Sequence, residues 1–370
     1  MEIIDTHLHI WDLDKFSLPW LDDEGEILNR TYLLEDYKKS LGENYQISKA
    51  VYVEVDSAQD QKDKENEYII DVCNDPDKVI DGAIISGDLT QKEFKAYIDK
   101  YAKSDRIKGV RQVLHVPSAA AGTCLLPEFI ENVKYLGSKD LVFEGCVRNG
   151  ELGDLYELAK QCPDTTIVLD HMGIVDPDII SKKDPTIQEQ AYKEKWKHYL
   201  NQMGNLPNVY CKISGLNPKG EWDVETLREP VNIAIEAFGE DKIIFASNFP
   251  VLHVAMSLEE WLKALLEIVE DREETMKQKL FSDNAKLHAN PWPQINAMIK
   301  ECNIENYSIY YHDGRLFTYY EYTGDDYEAD MAKMAADPET QRWWDECIPC
   351  LDPYTEDGPW LDMERVYRLD

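Results

Sequence analysis

The sequence is short of positive charge. Its 370 residues carry 39 Lys and Arg against 72 Asp and Glu, a formal net charge of −33. Such a chain repels nucleic acid and anionic membrane surfaces unless it concentrates a basic patch. None is visible, because the lysines around Lys182-Lys183 and between Lys193 and Lys197 are interleaved with acids. Neither a nucleic-acid nor a membrane partner is expected. Long apolar runs are missing too: no window approaches the ~20 apolar residues of a spanning helix. No basic stretch followed by an apolar one suggests a secretory leader, and a cytoplasmic protein is expected. A paired cysteine framework is lacking. The eight cysteines, at positions 73, 124, 146, 162, 211, 302, 347 and 350, are scattered through a large chain, as in proteins with reduced thiols. Cys347-Ile-Pro-Cys350 is formally a CxxC, but it has no second pair and does not open a helix after a strand. A GxGxxG after an early strand is also missing. That removes the main signature of a doubly wound dinucleotide-binding sheet.

What is present alternates regularly. Hydrophobic residues make up 43% and charged residues 30%, a globular mixture that excludes wholesale disorder. Eight short apolar runs recur, at residues 3–4, 50–53, 79–85, 109–114, 141–143, 166–169, 208–213 and 243–246. Helical periodicity lies between most of them, as at Phe94, Tyr97, Ile98 and Tyr101. Continuous apolar runs suit parallel strands buried on both faces. Eight β/α units in about 290 residues predict a (β/α)8 TIM barrel, an α/β fold. Residues 11–47 should cover the barrel mouth, and residues 174–190 read as a surface insertion. After residue 287 the texture changes. Tyr-rich runs at 307–311 and 316–322 flank His312-Asp-Gly-Arg315, a hairpin signal. A helix from Tyr327 to about Trp344 and a last strand at 363–369 complete a small α+β module. Two domains are expected, 1–287 and 288–370.

Chemistry in such a barrel gathers at strand C-termini. Asp5-Thr-His7-Leu-His9 ends the first strand, and residues two apart share a face. His7 and His9 therefore aim together at the mouth, where neutral imidazoles can bind a divalent metal. Three more strand ends are polar: Asp170-His171, Lys212-Ile-Ser214-Gly215 and Ser247-Asn248-Phe249-Pro250.

These segments, with Gly109-Val-Arg111, Leu169-Asp-His171-Met-Gly173 and Phe281-Ser-Asp-Asn-Ala285, resemble the amidohydrolase 2 branch of the amidohydrolase superfamily. That branch contains sugar-acid lactonases, and the match runs from residue 1 to about 287. The resemblance implies His7, His9 and His171 as metal ligands. The metal would be one divalent ion, zinc or similar, held weakly if at all. The family's strand-eight Asp falls on Asn248, which can coordinate but cannot take a proton. The base would then be His171, Asp170 or Glu54. Arg111 and Lys212 would hold a substrate carboxylate or polarise a carbonyl, with Glu54 and Trp11 at the substrate.

A second resemblance covers residues 286–370. Trp292-Pro293, Asn306-Tyr307-Ser-Ile309 and Arg342-Trp343-Trp344 are similar to the L-rhamnose mutarotase family. It implies a ferredoxin-like sheet whose first strand is missing here, with Asn284 where the family has Tyr. His288 would be an acid/base, and Trp343 and Trp344 would line a sugar pocket. Together the two resemblances imply a hydrolase that opens a sugar-acid lactone, of the L-rhamnono- or L-fuconolactone type, carrying a mutarotase-like module. The alternatives are a non-oxidative decarboxylase of the same superfamily and a non-catalytic sugar-binding protein. The small-molecule partner is the lactone, and self-association into a homo-oligomer stays open.

Overall fold

The computed structural model describes residues 2–75, 79–289, 298–312, 315–338, 340–341 and 344. Eight parallel strands form one sheet in sequence order. They are β1 (Ile4–Leu8), β2 (Lys49–Val53), β3 (Ile80–Ser86), β4 (Ile107–Arg111), β5 (Val142–Gly145), β6 (Ile167–Leu169), β7 (Val209–Ile213) and β8 (Ile243–Phe245). This is the barrel that the eight apolar runs predict. It closes just past the strand ends: Leu8 bridges Phe249, His9 N donates to Phe249 O at 2.8 Å, and Asn248 N donates to His7 O at 2.9 Å.

Helices between the strands form the outer ring: α1 (Lys62–Cys73), α2 (Phe94–Tyr101), α3 (Pro127–Gly137), α4 (Leu152–Gln161), α5 (Ile187–Gly204), α6 (Val224–Phe238) and α7 (Leu258–Ile268). Their starts are written locally. Ser257 and Glu260 form a capping box on α7, as Thr186 and Glu189 do on α5. The buried Leu258, Trp261, Leu262, Leu265 and Ile268 then give α7 one apolar face.

Inside the barrel, Val51, Val53, Ile84, Val142 and Val168 make an apolar layer. Its lower end is plugged by Ile4, Ile244 and Ala285. Ala285 comes from a closing helix, α8, which runs from Glu274–Gln278 through a π-helical turn (Lys279–Asp283) into Asn284–Ala289. Phe281 packs on Phe245, and Asn284 Nδ2 donates to Glu240 O and Ile243 O, both at 2.8 Å. Asn284 thus serves the barrel, which accounts for its departure from the mutarotase pattern.

The segment over the mouth is ordered. Trp11 and Tyr32 exchange backbone hydrogen bonds, and Tyr37 OH donates to Asp5 Oδ2 at 2.8 Å. Among the described residues no helix is long and apolar enough to cross a membrane.

The chain divides into two compact units, Met1–Pro291 and Trp292–Asp370. In the second, β9 (Ile304–His312) pairs antiparallel with β10 (Arg315–Tyr322). Helix α9 (Tyr327–Ala336) supplies Met334 to a small core with Cys302 and Ile304. The helix ends at Ala336, short of the expected Trp344. Asp337 precedes Pro338, and the residue before a proline is steered out of the helical region. Asp337 is extended, with ψ 124°, and its Oδ2 accepts from Thr340 N at 2.8 Å. The expected strand at 363–369 and Cys347 and Cys350 lie outside the described residues.

Candidate active site

His7 and His9 do converge inside the barrel, with ring centroids 4.8 Å apart. A register shift in β1 between Asp5 and Leu8 re-aims its end. The re-aimed end is latched to β8: Asp5 Oδ1 accepts from Ser247 N at 2.8 Å and from His7 N at 3.1 Å. His9 Nδ1–H donates to Val53 O at 2.8 Å, which leaves Nε2 with its lone pair. That atom lies 3.1 Å from His7 Nε2.

His171 completes the group, its ring centroid 4.5 Å from that of His7. It sits on a turn where His171, Met172, Gly173 and Ile174 all have positive φ, between 50° and 77°. Three non-glycine residues in that region are strained. Three side-chain contacts hold the turn: Trp196 Nε1 donates to Met172 O at 2.7 Å, Asn149 Nδ2 donates to Gly173 O at 3.1 Å, and Ser214 Oγ bonds His171 Nδ1 at 2.9 Å. Gly215 is required beneath the ring, since a β-carbon there would lie 2.5 Å from His171 Cβ.

Under the imidazoles lies a buried ionic layer. Lys212 on β7 bonds Glu144 of β5, reaches His7 Nδ1 at 3.1 Å, and lies 3.5 Å from Asp170 Oδ1. Arg111 on β4 commits Nε to Glu54 Oε1 at 2.6 Å and Nη2 to Glu54 O at 2.7 Å. Its remaining Nη1 faces His7 Nε2 at 3.4 Å and Asp170 Oδ2 at 3.9 Å. Burial pushes all three imidazoles down, His9 to about 3 and His171 to about 4, with Lys212 or Arg111 adding to the effect. They are neutral at pH 7. Burial would raise Asp170, but Lys212 and His7 overcome it and hold the carboxyl well below its ordinary value. Burial lifts Glu144 to about 8 against the pull of Lys212.

The donor set suits a divalent cation. Among the described residues, His7, Asp170 and His171 offer ligand atoms within 4.8 Å of one another. Both Asp170 oxygens lack a hydrogen bond despite full burial. The 3.1 Å between His7 Nε2 and His9 Nε2 is near the ~3.3 Å edge of a tetrahedron with bonds of ~2.0–2.1 Å.

Several expected roles shift. Lys212 is buried beneath the histidines with its ammonium already engaged, so it positions acids rather than meeting a substrate carboxylate. Glu54 is buried as the anchor of Arg111, and its Oε2 accepts from Asp56 N at 2.8 Å. Trp11 is packed between Trp20 and Tyr32, its Nε1 donating to Arg30 O at 2.6 Å, so it builds the mouth wall instead of an open sugar platform. Asn248 does lie at the mouth, buried, with φ 59°, a conformation Asn tolerates. Trp344 is half-buried in the second unit. The His288 side chain and Trp343 lie outside the described residues. Glu144 was not foreseen; its only sequence signal is an acid at an inward position of a buried strand.

Neutral imidazoles beside an ionised carboxylate at barrel strand ends are the equipment of enzymes that activate water. The chain belongs to the amidohydrolase family, which matches residues 4–286; residues 274–369 match the L-rhamnose mutarotase family. An L-rhamnono-gamma-lactonase of Scheffersomyces stipitis is 25% identical, over 77% of this chain and 97% of its own. An L-fucono-1,5-lactonase of Burkholderia multivorans is 23% identical, over 70% and 85%. A crystal structure of a Burkholderia multivorans amidohydrolase with bound zinc superimposes with a TM-score of 0.67. It covers 78% of this chain and 99% of its own, at 21% identity.

Proposed function

We propose that the barrel hydrolyses the ring ester of a sugar-acid lactone of the L-rhamnono or L-fucono type. The observation that carries this reading is the trio of neutral imidazoles around the unbonded Asp170 carboxylate. The two lactonase relatives, matched over most of their length, and the appended mutarotase-like module support the sugar. Such a module acts on free deoxysugars, and their lactones arise by oxidation at the same anomeric carbon, so the pairing is one of association.

His7, His9, His171 and Asp170 would hold one divalent ion. That ion, when bound, supplies Lewis-acid polarisation of a carbonyl or of water. Arg111 presents Nη1 to the same centre and would stabilise negative charge developing on the carbonyl oxygen. Lys212 keeps Asp170 ionised, and Asn248 can donate a hydrogen bond to substrate without taking a proton. A lactone is an activated ester, so this modest equipment suffices.

The test is acid release from L-rhamnono- and L-fuconolactones in a pH-stat. Release is expected, falling at least about tenfold after chelation and returning with zinc. Bound metal is counted separately by elemental analysis. No release from any deoxysugar lactone would sink this reading. Release that ignores chelation would remove the ion from it.

A further inference from the structure

A second group of polar side chains reaches the same mouth, and neither the family motifs nor the metal cluster uses it. His115 follows β4 and is exposed. Its Nδ1 lies 3.3 Å from Cys146 Sγ, just past β5, and Leu114 N donates to Cys146 O at 3.1 Å. Arg148 fastens the same loop: Nη1 donates to Val116 O at 2.7 Å, and Nη2 to Ala119 O at 3.0 Å and Glu151 Oε1 at 2.8 Å. An exposed imidazole on a surface loop is ordinarily mobile, but this one is fixed at its own ring nitrogen and on both flanks. It also lies four residues past Arg111 at the C-terminal end of β4, the same end of the barrel at which Asp170 and His171 follow β6. Burial keeps Cys146 a neutral thiol, far above its usual titration range. The sulfur is therefore a hydrogen-bond partner and not a nucleophile.

Resting on the lactonase reading, we propose that His115 is the proton carrier of the reaction, the part Asn248 cannot play. With Nδ1–H directed to Cys146 Sγ, Nε2 keeps its lone pair. As water attacks, its oxygen bonds to the lactone carbonyl carbon and its proton passes to His115 Nε2. Collapse of the tetrahedral intermediate breaks the ring C–O bond. The departing oxygen takes that proton from Nε2, so lactone and water become one hydroxy acid and the imidazole returns neutral. Cys146 is a positioning residue that fixes the tautomer.

The experiment compares wild type with His115→Ala, His115→Gln and Cys146→Ala on the lactone that wild type opens best. Loss of one general base or acid costs ~10²–10⁴ in rate. His115→Ala and His115→Gln should lose at least about 100-fold in kcat with KM near wild type, at unchanged metal content. Added imidazole should restore part of the rate in His115→Ala and nothing in wild type. Cys146→Ala should lower kcat about tenfold while His115 still works, so imidazole should not help it. Kcat within threefold of wild type in His115→Gln, or a loss confined to KM, overturns the assignment. Should His115→Ala fold poorly, His115→Gln decides alone, since its amide can still donate to the sulfur. A wild type that opens no lactone brings down the functional reading as well, and is told apart by that.

Discussion

The barrel and the second unit treat polar and aromatic side chains in opposite ways. In the barrel, polar groups from seven strand ends are buried together and interlocked by residues far away in sequence: Asp5 by Ser247, His7 by Lys212, Arg111 by Glu54, Glu144 by Lys212. In the second unit, Tyr319, Tyr320 and Tyr327 are exposed, and among the described residues the buried hydrophobic core is Cys302, Ile304 and Met334. Long-range burial fixes geometry because an unpaired polar group inside costs about 1–3 kcal/mol. A surface aromatic pays no such penalty for moving. Precise chemistry is therefore expected of the barrel, and looser sugar contact of the module.

The strongest way to break this contrast is Lys212→Met. It removes the cation shared by Glu144 and Asp170 and leaves two buried acids beside each other. Breaking a buried ion pair from one side costs about 3–5 kcal/mol. The variant should lose that much in urea unfolding and lose lactone hydrolysis by more than about 100-fold. Wild-type stability in Lys212→Met would show that the ionic layer is not what holds the site.

A smaller effect sharpens the boundary between the two regions. Residues 274–286 are matched by both families, yet Asn284 spends its amide on the barrel carbonyls of Glu240 and Ile243. Asn284→Ala should cost about 1–3 kcal/mol of barrel stability by stranding them. Asn284→Tyr, which restores the mutarotase-type residue, should cost more, because the position is buried under β8. Unchanged melting in both would move this helix from the barrel to the module.

Much of the barrel was readable because its information is local. Eight apolar runs, an HxH at the first strand end, and Asp170-His171 at the sixth each announce themselves within a few residues. What was not readable depends on tertiary burial. Trp11 and Glu54 have the composition of a sugar platform and a base, and only the packing of Trp20, Tyr32 and Arg111 around them shows otherwise. His115 and Cys146 are 31 residues apart and share no motif, so nothing in sequence joins them. The helix ending at Ala336 was legible in principle, from Asp337-Pro338, but the apolar positions Met331, Met334 and Ala335 carry no stop signal of their own.

The smallest expected effect is the most direct check on separate labour. His288 lies at the end of α8, three residues past Ala285, which plugs the barrel beside Ile4 at the start of β1. The imidazole cluster is at the other end of that strand. Five residues from Ile4 to His9, at ~3.3 Å each, put roughly 16 Å between the levels. A side-chain deletion so far from the reacting ester should leave lactone hydrolysis within about twofold, or about 0.4 kcal/mol of transition-state free energy. Any role of His288 in a sugar anomer equilibrium should surface instead in the exchange rate of free L-rhamnose, followed by NMR saturation transfer. His288→Ala with intact lactone hydrolysis and slowed anomer exchange would separate the two chemistries. A tenfold loss of hydrolysis, with melting unchanged, would mean that lactone hydrolysis depends on His288, and the separation of the two labours would fail.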